Sequence, residues 1–199
     1  MGLTIKYIEG QTPIDENEKG ELLIKTITTR KELDEYEQLN IQKAVEWTMK
    51  RRTLNLLEIT AEPFIKFIHK KMFDDVWRWA GNFRKTDKNI GVKWHQIGID
   101  LKNLTNDCIY WIRNQTFSED EIAIRFKYRL VSIHPFPNGN GRHSRLMADV
   151  LIHHGLGKDI FTWGGGNISQ TGNIRSEYIL ALKEADTGNL VPLIKFART

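Results

Sequence analysis

The chain has one cysteine, Cys108, in 199 residues. An internal disulfide cannot form, so stability must come from packing, and a reducing cytoplasm is the expected location. Five prolines are scattered and build no polyproline tract. No apolar stretch approaches the roughly 20 residues that cross a bilayer, so no membrane contact is expected. Met1 to Gly10 lacks the apolar core of a signal peptide. Neither charge sign dominates: 29 Lys and Arg face 25 Asp and Glu, for a net charge of +4. A pI near 9.1 permits nucleotide phosphate as a ligand without demanding it. The longest basic cluster, Lys50-Arg51-Arg52, reads as a solvated helix end. No helix-turn-helix or zinc-finger pattern accompanies it, so nucleic acid is not an expected partner. Repeats and low-complexity tracts are also missing. What remains is an ordinary globular composition, 40% apolar and 27% charged, with nine Phe, six Trp and five Tyr for a core. One domain is expected.

Hydrophobic spacing makes that domain mostly helical. Residues 1–28 show no periodicity and read as an arm with turns at Thr12-Pro13-Ile14-Asp15 and Lys19-Gly20. Thr29-Arg30-Lys31-Glu32 is a capping box that opens a helix to about Lys50, with Leu33, Tyr36, Ile41, Ala44 and Trp47 as its apolar stripe. Thr60 is the expected cap of the next helix, with Pro63 in its first turn and Phe64, Phe67, Ile68 and Met72 on one face. Residues 84–99 read as an irregular β-hairpin. Asp100 should cap a helix carrying Leu101, Leu104, Cys108, Trp111 and Ile112. A second capping box, Ser118 to Glu121, opens a helix that runs into His134-Pro135, where proline must end it. The following helix carries Leu146, Met147, Val150 and Leu151, and Gly155 is its expected close. Gly164-Gly165-Gly166 marks a loop, and Arg175–Asp186 and Pro192–Arg198 are the last helices.

Residues 134–145, His-Pro-Phe-Pro-Asn-Gly-Asn-Gly-Arg-His-Ser-Arg, concentrate the chemistry. His134 can exchange a proton at neutral pH. Gly139 and Gly141 free the backbone for a tight turn whose N–H groups can converge on an anion at a helix N-terminus. Asn140 between them tolerates left-handed dihedrals. Arg142 and Arg145, three apart, share a helix face, and their guanidinium forks match phosphate oxygens. Phe136 reads as the loop's apolar anchor. Each residue taken singly has a structural reading. Together they do not, because two arginines in a first helical turn oppose the macrodipole, and a bound anion relieves that conflict. His153-His154 lacks ligand spacing and reads as a polar helix end, not a metal site.

The run also resembles the signature of Fic domains, His-Pro-Phe-x-(Asp/Glu/Asn)-Gly-Asn-Gly-Arg-x-x-Arg, at every fixed position. The helical frame from about Thr60 to Arg198 is similar too, including Tyr178 to Leu182. The chain is similar to small bacterial members, some labelled mobile mystery protein B. The resemblance implies a helical bundle with a β-hairpin flap, an arm over residues 1–28 and a Fic domain over 29–199, with its core at about 60–198. It implies transfer of AMP from ATP to a Ser, Thr or Tyr hydroxyl of a target protein, with His134 as general base. Gly139, Asn140 and Gly141 would hold the α- and β-phosphates, Arg142 the β-phosphate and Arg145 the γ-phosphate. Position 138 would bind Mg²⁺. It is often acidic in the family and here is Asn138, a weaker ligand. Arg175 and Tyr178 fall where relatives line the base pocket. The flap, about Lys85 to Gln96, would receive the target as an added strand, with Lys85, Trp94 and His95 as candidate contacts. Many relatives are self-inhibited by a (Ser/Thr)-x-x-x-Glu-(Gly/Asn) helix whose Glu pairs with the motif's last arginine. Thr12 to Asn17 fits that pattern and makes Glu16 a candidate, beside the bland reading of a solvated arm. Glu37, on the capped helix, is a second candidate. Three other functions stay open: a Doc-like kinase, removal of AMP from targets, and a silent binding module partnered by an antitoxin.

Overall fold

The computed structural model of the chain describes residues 13–51, 54–165, 168 and 172–199. Met1 to Gly10, Thr12, Arg52 and Gly166 lie outside the described residues. Among the described residues the fold is helical and contains no strand. The helices are α1 (Glu16–Lys19), α2 (Arg30–Met49), α3 (Leu56–Thr60), α4 (Glu62–Phe73), α5 (Ile97–Arg113), α6 (Glu119–Ile133), α7 (Asn140–Val150), α8 (Asn173–Asp186) and α9 (Val191–Arg198). α6 lies at the centre, packed on α5, α7 and α9, while α2 lies along α4 and touches α7.

Local chemistry explains most boundaries. Thr29 caps α2 through its hydroxyl, which accepts from the Glu32 amide, while the Glu32 carboxylate accepts from the Thr29 amide at 2.9 Å. The buried face of α2 is Leu33, Glu37, Asn40, Ala44 and Thr48; of the expected stripe, Leu33 and Ala44 are buried, Ile41 and Trp47 are partly buried against the core, and Tyr36 is exposed. Its polar members are satisfied: Asn40 donates to the Lys71 carbonyl and accepts from the Asp75 amide, each at 3.0 Å, which ties α2 to the end of α4. Thr60 closes α3 instead of capping α4, because Pro63 can enter α4 only in the first turn that Ala61 begins. Asp100 sits inside the first turn of α5, which starts at Ile97 after a 3-10 turn at Trp94–Gln96. α7 continues through a π turn, Leu151–Gly155, and left-handed Gly157 rather than Gly155 follows its end.

The expected β-hairpin at residues 84–99 is absent, and the reason is where its backbone groups bond. The Arg84 amide donates to the Pro135 carbonyl at 2.9 Å, and the Val92 amide to the Ile133 carbonyl at 3.3 Å. Groups that would have formed a ladder across the segment are therefore directed to the end of α6. Ile97 and Ile99, which suggested strand alternation, belong to α5, one buried and one exposed. An isolated antiparallel bridge between Leu22 and Trp77 fastens the arm to the core. Lys88, its side chain nearly buried, adds ion pairs of 2.7 Å to both Asp15 and Glu18 of the arm. Cys108 is buried, and burial pushes its thiol up to about 12, so it is inert at neutral pH.

Candidate functional site

The site is built at the junction of α6 and α7. His134 caps α6 in a left-handed conformation, φ 55, a backbone that a non-glycine residue adopts at some cost. Arg84 supports it from below. The buried guanidinium donates to the His134 carbonyl at 2.7 Å, to the Thr86 carbonyl at 2.8 Å and to the Val92 carbonyl. Gly91 fits closely here: a Cβ added to it would lie 2.6 Å from the His134 Cβ. One guanidinium thus joins the cleft wall at residues 84–92 to the histidine's own backbone.

The loop after Pro135 is stapled from two sides. The Asn140 carboxamide accepts from the Phe136 amide at 3.0 Å and donates to the Phe136 carbonyl at 2.8 Å. The Phe136 ring stacks on His69, with centroids 3.6 Å apart and planes within 9°. His69 Nδ1 accepts from the Gly81 amide at 3.0 Å, so Nε2 carries the proton and donates to the Asn138 carbonyl at 3.1 Å. His143 Nε2 donates to the Ile65 carbonyl at 2.9 Å and braces α7 on α4. Gly139 is left-handed, φ 78, and an added Cβ would sit 2.5 Å from the Phe73 ring, so no side chain fits there. Asn140 is helical, not left-handed: it is the first residue of α7, and Gly139 supplies the turn.

A cleft of about 630 Å³ opens over this loop. It brings together His134, Asn138, Gly139, Asn140, Gly141, Arg142 and Arg145, with Arg175 and Tyr178 farther along. Arg145 lies over the Tyr178 ring at 5.3 Å, and Arg175 donates to the Ile168 carbonyl at 2.9 Å. On the side of residues 84–96 the lining is Ile90 and Gly91. Lys85, Trp94 and His95 are exposed and do not line the cleft. Glu37 reaches the site and Glu16 does not. The Glu37 carboxylate, 2% exposed, pairs with Arg142 at 2.6 Å and accepts from the Trp77 indole N–H at 2.7 Å. Glu16 is exposed and pairs with Lys19 at 2.5 Å. Among the described residues no cluster of three His, Cys, Asp or Glu side chains could hold a metal, and His154 instead bonds the Thr48 carbonyl at 2.9 Å.

The electrostatics favour a neutral base. Burial, then the charge of Arg84, pulls the His134 imidazole from 6.5 down to about 4, against a smaller opposing effect of the Val131 carbonyl. The ring is therefore neutral at pH 7 and can take a proton. Sequence reasoning missed Arg84, which looked like one more residue of an aromatic run, and Arg30 and Asp34 of α2, which line the cleft. It also missed Lys127. A signal existed for that residue: Ala123, Lys127, Leu130 and His134 recur at spacings of four, three and four, so Lys127 shares a face with buried residues.

Residues 58–152 match the Fic/DOC family. The chain carries a Fic domain. It is 26% identical over 194 residues to the protein adenylyltransferase Fic of Drosophila grimshawi, covering 95% of this chain and 38% of that protein. It is 30% identical over 150 residues to an Aquifex aeolicus protein named "probable protein adenylyltransferase", covering 71% of this chain and 42% of the relative. The chain thus spans about two fifths of the length of these curated relatives. Among solved structures, the N-terminal Fic domain of a VirB-translocated Bep effector from Bartonella quintana superposes with a TM-score of 0.69 at 19% identity, over 88% of this chain and 84% of that one. BepC of Bartonella tribocorum, solved with AMPPNP, gives 0.68 at 18% identity, over 96% and 93%. These two establish the shared fold.

The buried histidines of the Fic domain make its stability acid-sensitive. Burial lowers His69 well below 6.5, holds His143 at about 3 and His134 at about 4. Each stays neutral when folded and takes up a proton on unfolding below about pH 6.5, which removes about 1.4 kcal/mol per pH unit per group. Asp149 acts in the opposite sense: burial raises its carboxyl from 3.8 to about 7, so it adds stability as pH falls through 7 and offsets one histidine. Urea unfolding between pH 6.5 and 5 should show stability falling with a net uptake of about two protons. Stability that rises on acidification in this window would contradict the neutral histidine cluster.

Proposed function

We propose that the chain is a protein adenylyltransferase that moves AMP from ATP to a hydroxyl of a target protein. The carrying observation is one cleft that holds a neutral, buried His134 beside the N-terminus of α7 and two arginines of that helix's first turns. Relatives named protein adenylyltransferases and a fold neighbour holding AMPPNP support the reading. The His134 imidazole takes the proton of the target hydroxyl as its oxygen attacks the α-phosphorus. The bond from that phosphorus to the β-phosphate bridging oxygen breaks, and pyrophosphate leaves. The Gly139-Asn140-Gly141 backbone and Arg142 hold the α- and β-phosphates, and Arg145 holds the γ-phosphate; their work is positioning and charge neutralisation. Arg175 and Tyr178 border the base. A target segment passing residues 84–96 would bring its hydroxyl over Ile90 and Gly91 toward His134.

Mg²⁺ fits Asn138 as a minimal site. The Asn138 side-chain oxygen accepts from the Gly139 amide at 2.7 Å, and Asn138 lines the cleft. One neutral oxygen suits an ion that takes its other ligands from phosphates and water, and it supplies charge neutralisation at the leaving group.

Glu37 is the proposed brake. Its carboxylate occupies Arg142, the residue assigned to the β-phosphate, and pairing there competes with nucleotide. This differs from the family pattern, in which the inhibitory Glu faces the last arginine.

Lysate incubated with ATP labelled on the α-phosphate should yield labelled protein, and His134→Ala should abolish it while nucleotide still binds. Label transferred from the γ-phosphate alone would assign a kinase, and neither label a silent binding module. Glu37→Gln keeps an acceptor for Trp77 but removes the charge, and should raise the labelling rate about tenfold, equivalent to about 1.4 kcal/mol. Glu16→Gly should not; if the two variants behave the other way round, the brake is Glu16. Asn138→Asp should lower the Mg²⁺ concentration needed for half-maximal labelling, and an unchanged requirement would remove Asn138 from the metal site.

A further inference from the structure

Lys127 is the anomaly of the core. It sits on α6, between Phe126 and Leu130 and in line with His134, and its side chain is fully buried. No carboxylate pairs with it among the described residues, and its ammonium makes no hydrogen bond of ordinary geometry, the buried Tyr178 hydroxyl being the polar group beside it. The ammonium instead lies over the Tyr178 ring, 4.8 Å from the centroid. Arg145 lies over the same ring at 5.3 Å. Tyr178 is 4% exposed and lines the cleft. Two cations from neighbouring helices therefore share one aromatic ring, one in the cleft and one behind it. Neither cation makes an ion pair among the described residues; the charge of Asp149 reaches Arg145, but burial raises that carboxyl to about 7, so it balances only part of the positive charge. Asp186 accepts from the Tyr128 hydroxyl at 2.8 Å, and Asp149 is held by the Trp163 indole at 3.1 Å.

A buried ammonium without a partner costs stability, and an apolar residue of similar length would serve the core better. Cation–π contact returns part of that cost, and the repulsion between Lys127 and Arg145 adds to it. An anion in the cleft would relieve both. Titration behaviour agrees: burial lowers Lys127, while for Tyr178 burial's upward push is outweighed by Lys127 and Arg145.

We propose that Lys127, acting through Tyr178 and Arg145, is a buried positioning residue that supplies positive potential for the polyphosphate of the bound nucleotide. This rests on the reading of the cleft as a nucleotide site. The charge works at low dielectric behind a ring, so it is little screened by solvent.

The test compares wild type with Lys127→Met, using ATP, inorganic tripolyphosphate and adenosine as calorimetric probes. ATP and tripolyphosphate should each bind about tenfold more weakly to the variant, while adenosine binds equally and the melting temperature does not fall. In labelling assays the KM for ATP should rise more than kcat falls. Lys127→Gln, neutral but polar, should behave the same way. Full tripolyphosphate affinity in both variants overturns the proposal, as does an equal loss for adenosine, which would mean a merely structural role. If wild type itself binds neither ATP nor tripolyphosphate, the nucleotide reading falls and this inference with it; a loss confined to the variants leaves that reading intact.

Discussion

The left-handed turn at His134 is the constraint on which the site depends. α6 has to stop, reverse direction and deliver an imidazole into a cleft, and Pro135 ends the helix without fixing where the side chain goes. Arg84 does the fixing, because its guanidinium binds the carbonyls of His134, Thr86 and Val92 together. A planar five-donor fork can hold several carbonyls in set directions; an ammonium cannot impose the same geometry. The same bonds explain why residues 84–96 need no hairpin. Their backbone is ordered by attachment to α6, so the cleft wall and the base share one support.

Charge distribution then organises what surrounds that turn. Arg142, Arg145, Arg84 and Lys127 place positive charge around a small volume, and Glu37 is a buried carboxylate paired with one of them, Arg142. Glu37 is held by the Trp77 indole as well as by Arg142, so its carboxylate is fixed in place and not a mobile surface group. α2 is thus both a structural helix packed on α4 and a source of charge at the cleft. The fold accommodates this by burying polar residues on α2, with Asn40 bonded at both ends.

Much of this was legible from the residues. The run 134–145 announced its phosphate chemistry, and the capping box at Thr29 and the proline after His134 set two helix ends. What was hidden depended on contacts distant in sequence. Arg84 and the carbonyl of His134 are 50 residues apart, and nothing local in Phe83-Arg84 points to that bond. The hairpin was expected because apolar alternation near 92–99 looks like a strand, yet Ile97 and Ile99 are helical and the backbone donors go elsewhere. Asn140 was read as a turn former, but its side chain closes the loop onto Phe136 and the turn belongs to Gly139. Thr60 looks like a cap because Pro63 falls in the first turn of the next helix, whereas Ala61 takes the cap position and Thr60 closes α3. The pattern favours Glu16 over Glu37, because pattern cannot see which carboxylate lies near an arginine in space.

Lys88 gives the arm a consequence beyond anchoring. Its ammonium is clasped by Asp15 and Glu18 while its backbone belongs to the wall beside His134. Anything that grips, cuts or replaces the arm therefore pulls on the wall of the cleft. The arm and the wall thus form one mechanical unit, joined through a single ammonium.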